Sequence, residues 1–155
     1  MQLTEILELT CVKVPLQATN KTSAIKELID LLAQNVAFRD YNAVCQAVME
    51  REAIRSTGVG QGFAIPHGKT NTVDRIYMAV GKLNNPIDFN SIDGQLVTMI
   101  VLLVSPLDQT GPHIQALARI SRLMTDQNLR NSLWASNSAE ELYHLICSYN
   151  HNPTE

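Results

Sequence analysis

No basic surplus runs through this sequence: Lys and Arg total 12 against 15 Asp and Glu, a formal charge of −3 at pH 7. That balance speaks against nucleic acid as a primary partner, because phosphate backbones are held by clustered cations. Cysteine is scarce and scattered. Cys11, Cys45 and Cys147 are odd in number and show no C-x-x-C spacing, so neither a disulfide framework nor a zinc knuckle is indicated, and a reducing compartment suits them. Long apolar runs are missing as well. The longest, Met99 to Val104, is six residues, far short of the ~18 a membrane-spanning helix needs. The start, Met-Gln-Leu-Thr-Glu, lacks the basic region of a secretion signal. A soluble cytoplasmic protein without direct membrane insertion is expected.

What is present describes one ordinary globular unit. Hydrophobic residues make up 45% and charged residues 17% of 155 positions, enough chain to bury a core. No internal repeat or linker interrupts it, so residues 1–150 are expected to form a single domain, with 151–155 a short polar tail. Residues 11–16 (CVKVPL) suit a short strand. Ile25, Leu28, Ile29, Leu32 and Val36 then recur at helical spacing over 22–36, behind Thr22 and Ser23 as capping candidates. A second helix is expected from Tyr41 to Ile54, capped by Asp40, with Val44, Ala47 and Val48 inward and Arg51 near its C-terminal end. Ile76, Met78 and Val80 alternate with Arg75, Tyr77 and Ala79 as in a strand, while Thr98 to Val104 is unbroken and β-branched, as in a strand buried on both faces.

Ser105-Pro106 ends that strand, and Gly111-Pro112 opens a helix with His113 in its first turn. Its expected inner face is Ile114, Leu117, Ala118, Ser121 and Leu123/Met124. Ser138 with Glu141 three residues later is a capping-box pattern ahead of Leu142, Leu145 and Ile146. Helices before, between and after strands argue for an α/β layered domain with a mixed sheet.

The segment Ser56 to Gly68, STGVGQGFAIPHG, holds four of the seven glycines. It is not a nucleotide loop. Five residues separate Gly62 from Gly68-Lys69-Thr70 where a P-loop allows four, and Phe63 stands where the third glycine of a dinucleotide fingerprint belongs. The glycines instead permit tight turning and close backbone approach, and Pro66 stiffens the support from which His67 emerges. Gly68 is expected to clear space for a large partner or to expose backbone N–H groups. Arg51 lies at a helix end before this segment, and His113 at a helix start beyond the central strand, positions at which α/β folds place binding sites. Each also has a plainer reading: Arg51 paired with Glu50 or Glu52, His113 as a capping or part-buried residue, His67 as a surface turn residue.

Taken together, Glu50-Arg51-Glu52, the Ser56–Gly68 string and His113-Ile114-Gln115-Ala116-Leu117-Ala118 resemble an enzyme IIA domain of the fructose/mannitol/nitrogen-regulatory class of the bacterial phosphotransferase system. The resemblance covers nearly the whole chain; Phe63 replaces the usual small aliphatic residue and Ile114 the usual leucine. It implies a three-layer α/β/α sandwich around a mixed sheet. It also implies that His67 accepts a phosphoryl group from the phosphohistidine of an HPr-type protein, with Arg51 and His113 flanking the phosphate. No cofactor and no metal are implied. The connection Leu103 to Thr110 resembles the nitrogen-regulatory subgroup, as does the single-domain length, and such a protein would bind regulatory target proteins. A fructose-type domain passing phosphate to a IIB partner is the related alternative. Two further readings stay open: a hydrolase using His67 and His113 as an acid–base or metal-ligand pair, against whose metal form stand the lack of a third ligand at a usual spacing and the placement of His144 and His151 on a polar helix face and in the tail, and a binding module without chemistry.

Overall fold

The computed structural model describes residues 1–36 and 38–149; the expected polar tail, 151–155, lies outside the described residues. After a 3-10 turn at Leu3–Glu5 come β1 (Leu7–Lys13), α1 (Lys21–Asn35), α2 (Tyr41–Ile54), β2 (Gly58–Gly60), β3 (Phe63–Ala64), β4 (His67–Lys69), β5 (Tyr77–Ile87), β6 (Val97–Ser105), α3 (Thr110–Thr125), α4 (Gln127–Ala135) and α5 (Ala139–Ser148). The six strands form one mixed sheet in the order β1-β5-β6-β3-β2, with β4 also on β6. β6 is its axis. It runs antiparallel to β5 on one side, and on the other it runs parallel first to β3 and then to β4. Every β6 residue except Thr98 is buried, as its unbroken apolar run predicts.

The helices cover both faces. α1 and α2 pack together on one, α1 against β1 and β5 and α2 against β4; α3, α4 and α5 follow one another on the other, with α3 on β6 and α5 on β1. The result is the three-layer α/β/α sandwich. Along α1 the stripe Ala24, Ile25, Leu28, Ile29 and Leu32 is fully buried, each large side chain contributing roughly 1.5–3 kcal/mol. Its cap is Asn20, whose side chain accepts from the Ser23 N–H at 2.9 Å, so the helix starts at Lys21, ahead of where a cap at Thr22 or Ser23 would place it, and Val36 falls at its C-cap. Asp40 caps α2 as expected, accepting from Ala43 N–H at 3.0 Å.

Several expectations shift. β1 begins at Leu7 and stops before Pro15, which has no N–H to give the ladder, so only the first half of 11–16 is strand. β5 is buried on both faces over Tyr77–Leu83, because helices lie above and below it, and its alternation with Tyr77 and Ala79 is not an inside–outside pattern. α3 is rotated relative to the expected face: His113, Ala116, Ile120, Leu123 and Met124 point inward, while Ala118 and Ser121 are exposed and Ile114 is 59% exposed. Ala116 is small enough for close contact, and the inward stripe carries a histidine that hydropathy alone would turn outward. No sequence pattern announces α4, whose residues QNLRNSLWA include few apolar ones. Buried Lys82 of β5 anchors it, Nζ donating to the carbonyls of Trp134 (2.5 Å) and Ser136 (2.6 Å) at its C-terminal end. Trp134 in turn stacks on Phe63 with ring centroids 4.8 Å apart.

The glycine segment is three short strands and a turn. Gly60, Gln61 and Gly62 all have positive φ (101°, 60° and 84°), which folds β2 back on β3. Ile65 and Pro66 separate β3 from β4, yet both strands lie along β6. Gly68 does something other than clear room for a partner. It is buried, and a Cβ there would stand 2.9 Å from the Ala47 carbonyl carbon and the Val48 nitrogen of α2. Backbone cannot give way as a flexible side chain can, so Gly68→Ala is expected to cost about 1–3 kcal/mol, read as a lower denaturant midpoint at unchanged slope; a variant as stable as the parent would refute this packing role.

Candidate functional site

β4 and β6 are parallel and in register, His67 opposite Leu103 and Lys69 opposite Ser105, so both open at the same carboxyl edge of the sheet. From Ser105 the chain needs only residues 106–109 to reach α3. Gly68 faces the backbone of α2. Its strand neighbours His67 and Lys69 therefore face the opposite way, toward the layer that carries His113. Arg51 reaches the same place from the last turn of α2. The side chains of Arg51, His67, Lys69, Leu107, His113 and Leu117, with Ala47 and Gly68 at the base, line one open cleft of ≈ 410 Å³. The His67 and His113 rings are 5.5 Å apart between centroids, tilted by 57°.

The supports of the two rings differ. His67 Nδ1 lies 2.8 Å from the Ile65 carbonyl oxygen. A carbonyl only accepts, so Nδ1 carries the proton and Nε2 of the neutral ring holds the free lone pair. Burial pushes the His67 pKa below its ordinary 6.5; the charges of Arg51 and Lys69 act in the same direction, against the Ile65 hydrogen bond and Glu52. His113 is buried, and its Nδ1 is 2.7 Å from Ser105 Oγ. Burial first, then the His67 and Lys69 charges, bring its pKa down to about 4. Both rings are neutral near pH 7.

The cations are left for the cleft. Among the described residues no acidic side chain pairs with Arg51, contrary to the plainer reading of its flanking glutamates. Glu50 accepts from Gln46 Nε2 at 2.9 Å, and buried Glu52 accepts from Thr57 N–H (2.8 Å), Thr57 Oγ1 (2.5 Å) and Lys21 Nζ (2.8 Å). Arg51 Nη1 instead donates to the Arg55 carbonyl at 2.9 Å, which ties its guanidinium to the helix end. Two cations and no carboxylate line a cleft with a nucleophilic nitrogen. Such a site suits an anionic electrophile rather than general acid–base hydrolysis, for which a ring with a pKa of about 4 is poorly matched near neutrality.

The three residues expected from the sequence are thus brought together. Lys69 and Ser105 were not singled out. Lys69 is two residues beyond His67 in β4, so period-2 alternation is the signal that points to it; Ser105 has none, since its place comes from cross-strand register. His144 lies elsewhere, on α5 beside Tyr143 and lining a groove with α4 residues, and His151 is outside the described residues. Among the described residues, no group of three or more His, Cys, Asp and Glu is arranged to hold a metal ion, and no helix is long and apolar enough to cross a membrane.

Comparison with known proteins matches residues 5–149 to the family described as "Phosphoenolpyruvate-dependent sugar phosphotransferase system, EIIA 2". A nitrogen regulatory protein of Bradyrhizobium diazoefficiens is 35% identical over 146 residues, covering 94% of this chain and 95% of its own. The fructose-specific EIIABC component of Bacillus subtilis is 30% identical over 94% of this chain, which spans only 23% of that protein. Among solved structures, the nitrogen regulatory protein IIA-Ntr of Neisseria meningitidis superposes with a TM-score of 0.86 at 30% identity, covering 93% of this chain and 98% of its own.

The depressed histidines have a signed consequence for stability. Between the ordinary 6.5 and about 4, the unfolded chain binds a proton at position 113 that the folded chain refuses. Stability is therefore full above pH 6.5 and falls as pH drops toward 4, by at most roughly 1.4 kcal/mol per pH unit crossed. Denaturant midpoints measured across this window are expected to show that slope, and His113→Asn to flatten it; an equal slope in the variant would contradict the assignment.

Proposed function

Because this chain belongs to the type 2 EIIA family of the phosphoenolpyruvate-dependent sugar phosphotransferase system, we propose that it is a phosphocarrier whose acceptor is His67. The donor is the phosphohistidine of an HPr-type protein in the cytoplasm, and the role is that of a nitrogen-regulatory component. The observation that carries this reading is the unprotonated Nε2 of His67 in a cleft that holds Arg51 and Lys69 but no carboxylate.

In the transfer, His67 Nε2 attacks phosphorus in line while the donor's N–P bond breaks and its electron pair returns to the donor ring. No base has to remove a proton, because the attacking nitrogen carries none. The protein contributes position and charge. Arg51 offers a planar, permanently charged fork to the phosphoryl oxygens, and Lys69 a second cation. At an effective dielectric near 20 and ~4 Å, one such pair is worth roughly 4 kcal/mol. His113, neutral and in the first turns of α3, acts as a hydrogen-bond donor, helped by the positive end of its helix. In the phosphorylated state the Ile65 carbonyl still receives the Nδ1–H, which keeps the ring from turning. The phosphoryl oxygens then carry a charge near −2, partly offset by the ring, which is cationic with both nitrogens substituted, in a cleft lined by exposed Leu107, so the two states present different surfaces to regulatory targets.

The near-complete mutual coverage with nitrogen regulatory proteins supports the regulatory reading. The likeness to the fructose-specific component supports the alternative, in which His67 passes its phosphate to a IIB domain. Incubation with a phosphorylated HPr-type donor is expected to place one acid-labile, alkali-stable phosphoryl group on His67; undiminished labelling of His67→Ala would sink the proposal. Arg51→Ala should keep the fold and slow labelling by at least about tenfold, and unchanged kinetics would remove Arg51 from the mechanism. Efficient chase of the label onto a IIB domain would replace the regulatory role with the transport one.

A further inference from the structure

We propose that Ser105 is a positioning residue for phosphoryl transfer: its hydroxyl donates to His113 Nδ1 and so holds His113 as the Nε2–H tautomer, the form that can donate to the phosphate. The proposal rests on the phosphoryl-transfer reading of the cleft. A neutral imidazole has one N–H, and only its placement decides whether the remaining nitrogen edge offers a proton or a lone pair. At position 67 a backbone carbonyl makes that choice. At position 113 the partner is a hydroxyl, which is able either to donate or to accept.

Burial resolves the direction. Ser105 is fully buried, and His113 Nδ1, at 2.7 Å, is the sole hydrogen-bond partner recorded for its Oγ among the described residues. If His113 Nδ1–H donated, the serine proton would be buried with no acceptor, which costs more than an ordinary hydrogen bond returns. If the serine donates, both atoms are satisfied. The proton of His113 then resides on Nε2. The arrangement also avoids a second clash: with His67 Nε2 unprotonated, an unprotonated His113 Nε2 would bring another lone pair to the cleft that must receive an anion. Ser105 cannot easily turn away, since its backbone is paired with Lys69 across β4–β6 and its carbonyl accepts from the Thr70 N–H at 3.0 Å.

The donor at His113 is thereby fixed before any phosphate arrives, which is how a preorganised site avoids reorganisation during transfer. Loss of the hydroxyl leaves His113 in place but frees it to sample both tautomers. The cost should be about tenfold in transfer rate, less than the hundredfold or more expected when a donor is removed outright.

Long-range ¹H–¹⁵N spectra of the unphosphorylated full chain read the tautomer directly, without relying on transfer. The expected pattern is a protonated Nε2 and an unprotonated Nδ1 at His113, a mixture in Ser105→Ala, and recovery in Ser105→Thr, with labelling of His67 falling about tenfold and recovering in parallel. A protonated Nδ1 at His113 in the parent would overturn the proposal whatever the variants do. A spectrum and rate unchanged by Ser105→Ala would overturn it equally. If the parent shows the expected tautomer but His67 takes no label, it is the phosphoryl reading that fails, and the positioning role falls with it.

Discussion

The pairing of three residues, His67 to Lys69, with the last turn of ladder on β6 is the constraint on which the site depends. It fixes the height of His67 at the carboxyl edge of the sheet, points His67 and Lys69 away from α2, and sets Ser105 opposite Lys69. Through Ser105 it also sets the ring of His113, one short connection further along the chain. The pairing is possible only because Gly68 has no side chain where β4 passes the backbone of α2. That same close passage brings Arg51, on α2, to the cleft. Strand, helix and histidine are thus positioned by one contact rather than by three separate ones.

Electrostatics complete what the backbone begins. The acidic residues flanking Arg51 are used elsewhere, Glu52 in a buried knot with Thr57 and Lys21 and Glu50 with Gln46, so the guanidinium is not neutralised by its neighbours. Burial, aided by Arg51 and Lys69 at His67 and by His67 and Lys69 at His113, favours the neutral form of both rings, which preserves a lone pair on His67. A cleft arranged this way holds two cations and no carboxylate, so it is suited to receive an anionic group. Leu107, 54% exposed, lines the same cleft and is apolar surface that a docking protein would have to cover.

Much of this is legible in the sequence alone. The periodicity of α1 and α2, the unbroken run of β6 and the capping residues Asp40 and Ser138 are local signals, and they located their elements closely. Arg51, His67 and His113 were legible because they stand at element ends that α/β sheets bring together. What escaped depends on tertiary contact. α4 is held by a buried lysine and a stacked tryptophan, neither of which leaves a hydropathic pattern. On α3 the expected Leu123 and Met124 do face inward, but the first turns run against hydropathy, with His113 inward and Ile114 outward. Gly68 acts behind His67, against the α2 backbone, and not by opening space in front of it. The partner of His113 depended on strand register, which single-sequence patterns do not carry.

The proposed transfer is tested most directly by identifying the atom that would receive the phosphoryl group. A one-bond ³¹P–¹⁵N coupling, measured on the phosphorylated protein with labelled histidine, identifies that atom. Coupling to Nε2 of His67, with Nδ1 still protonated toward the Ile65 carbonyl, is the predicted result. Coupling to Nδ1 of His67, or to a nitrogen of His113 or His144, would contradict it.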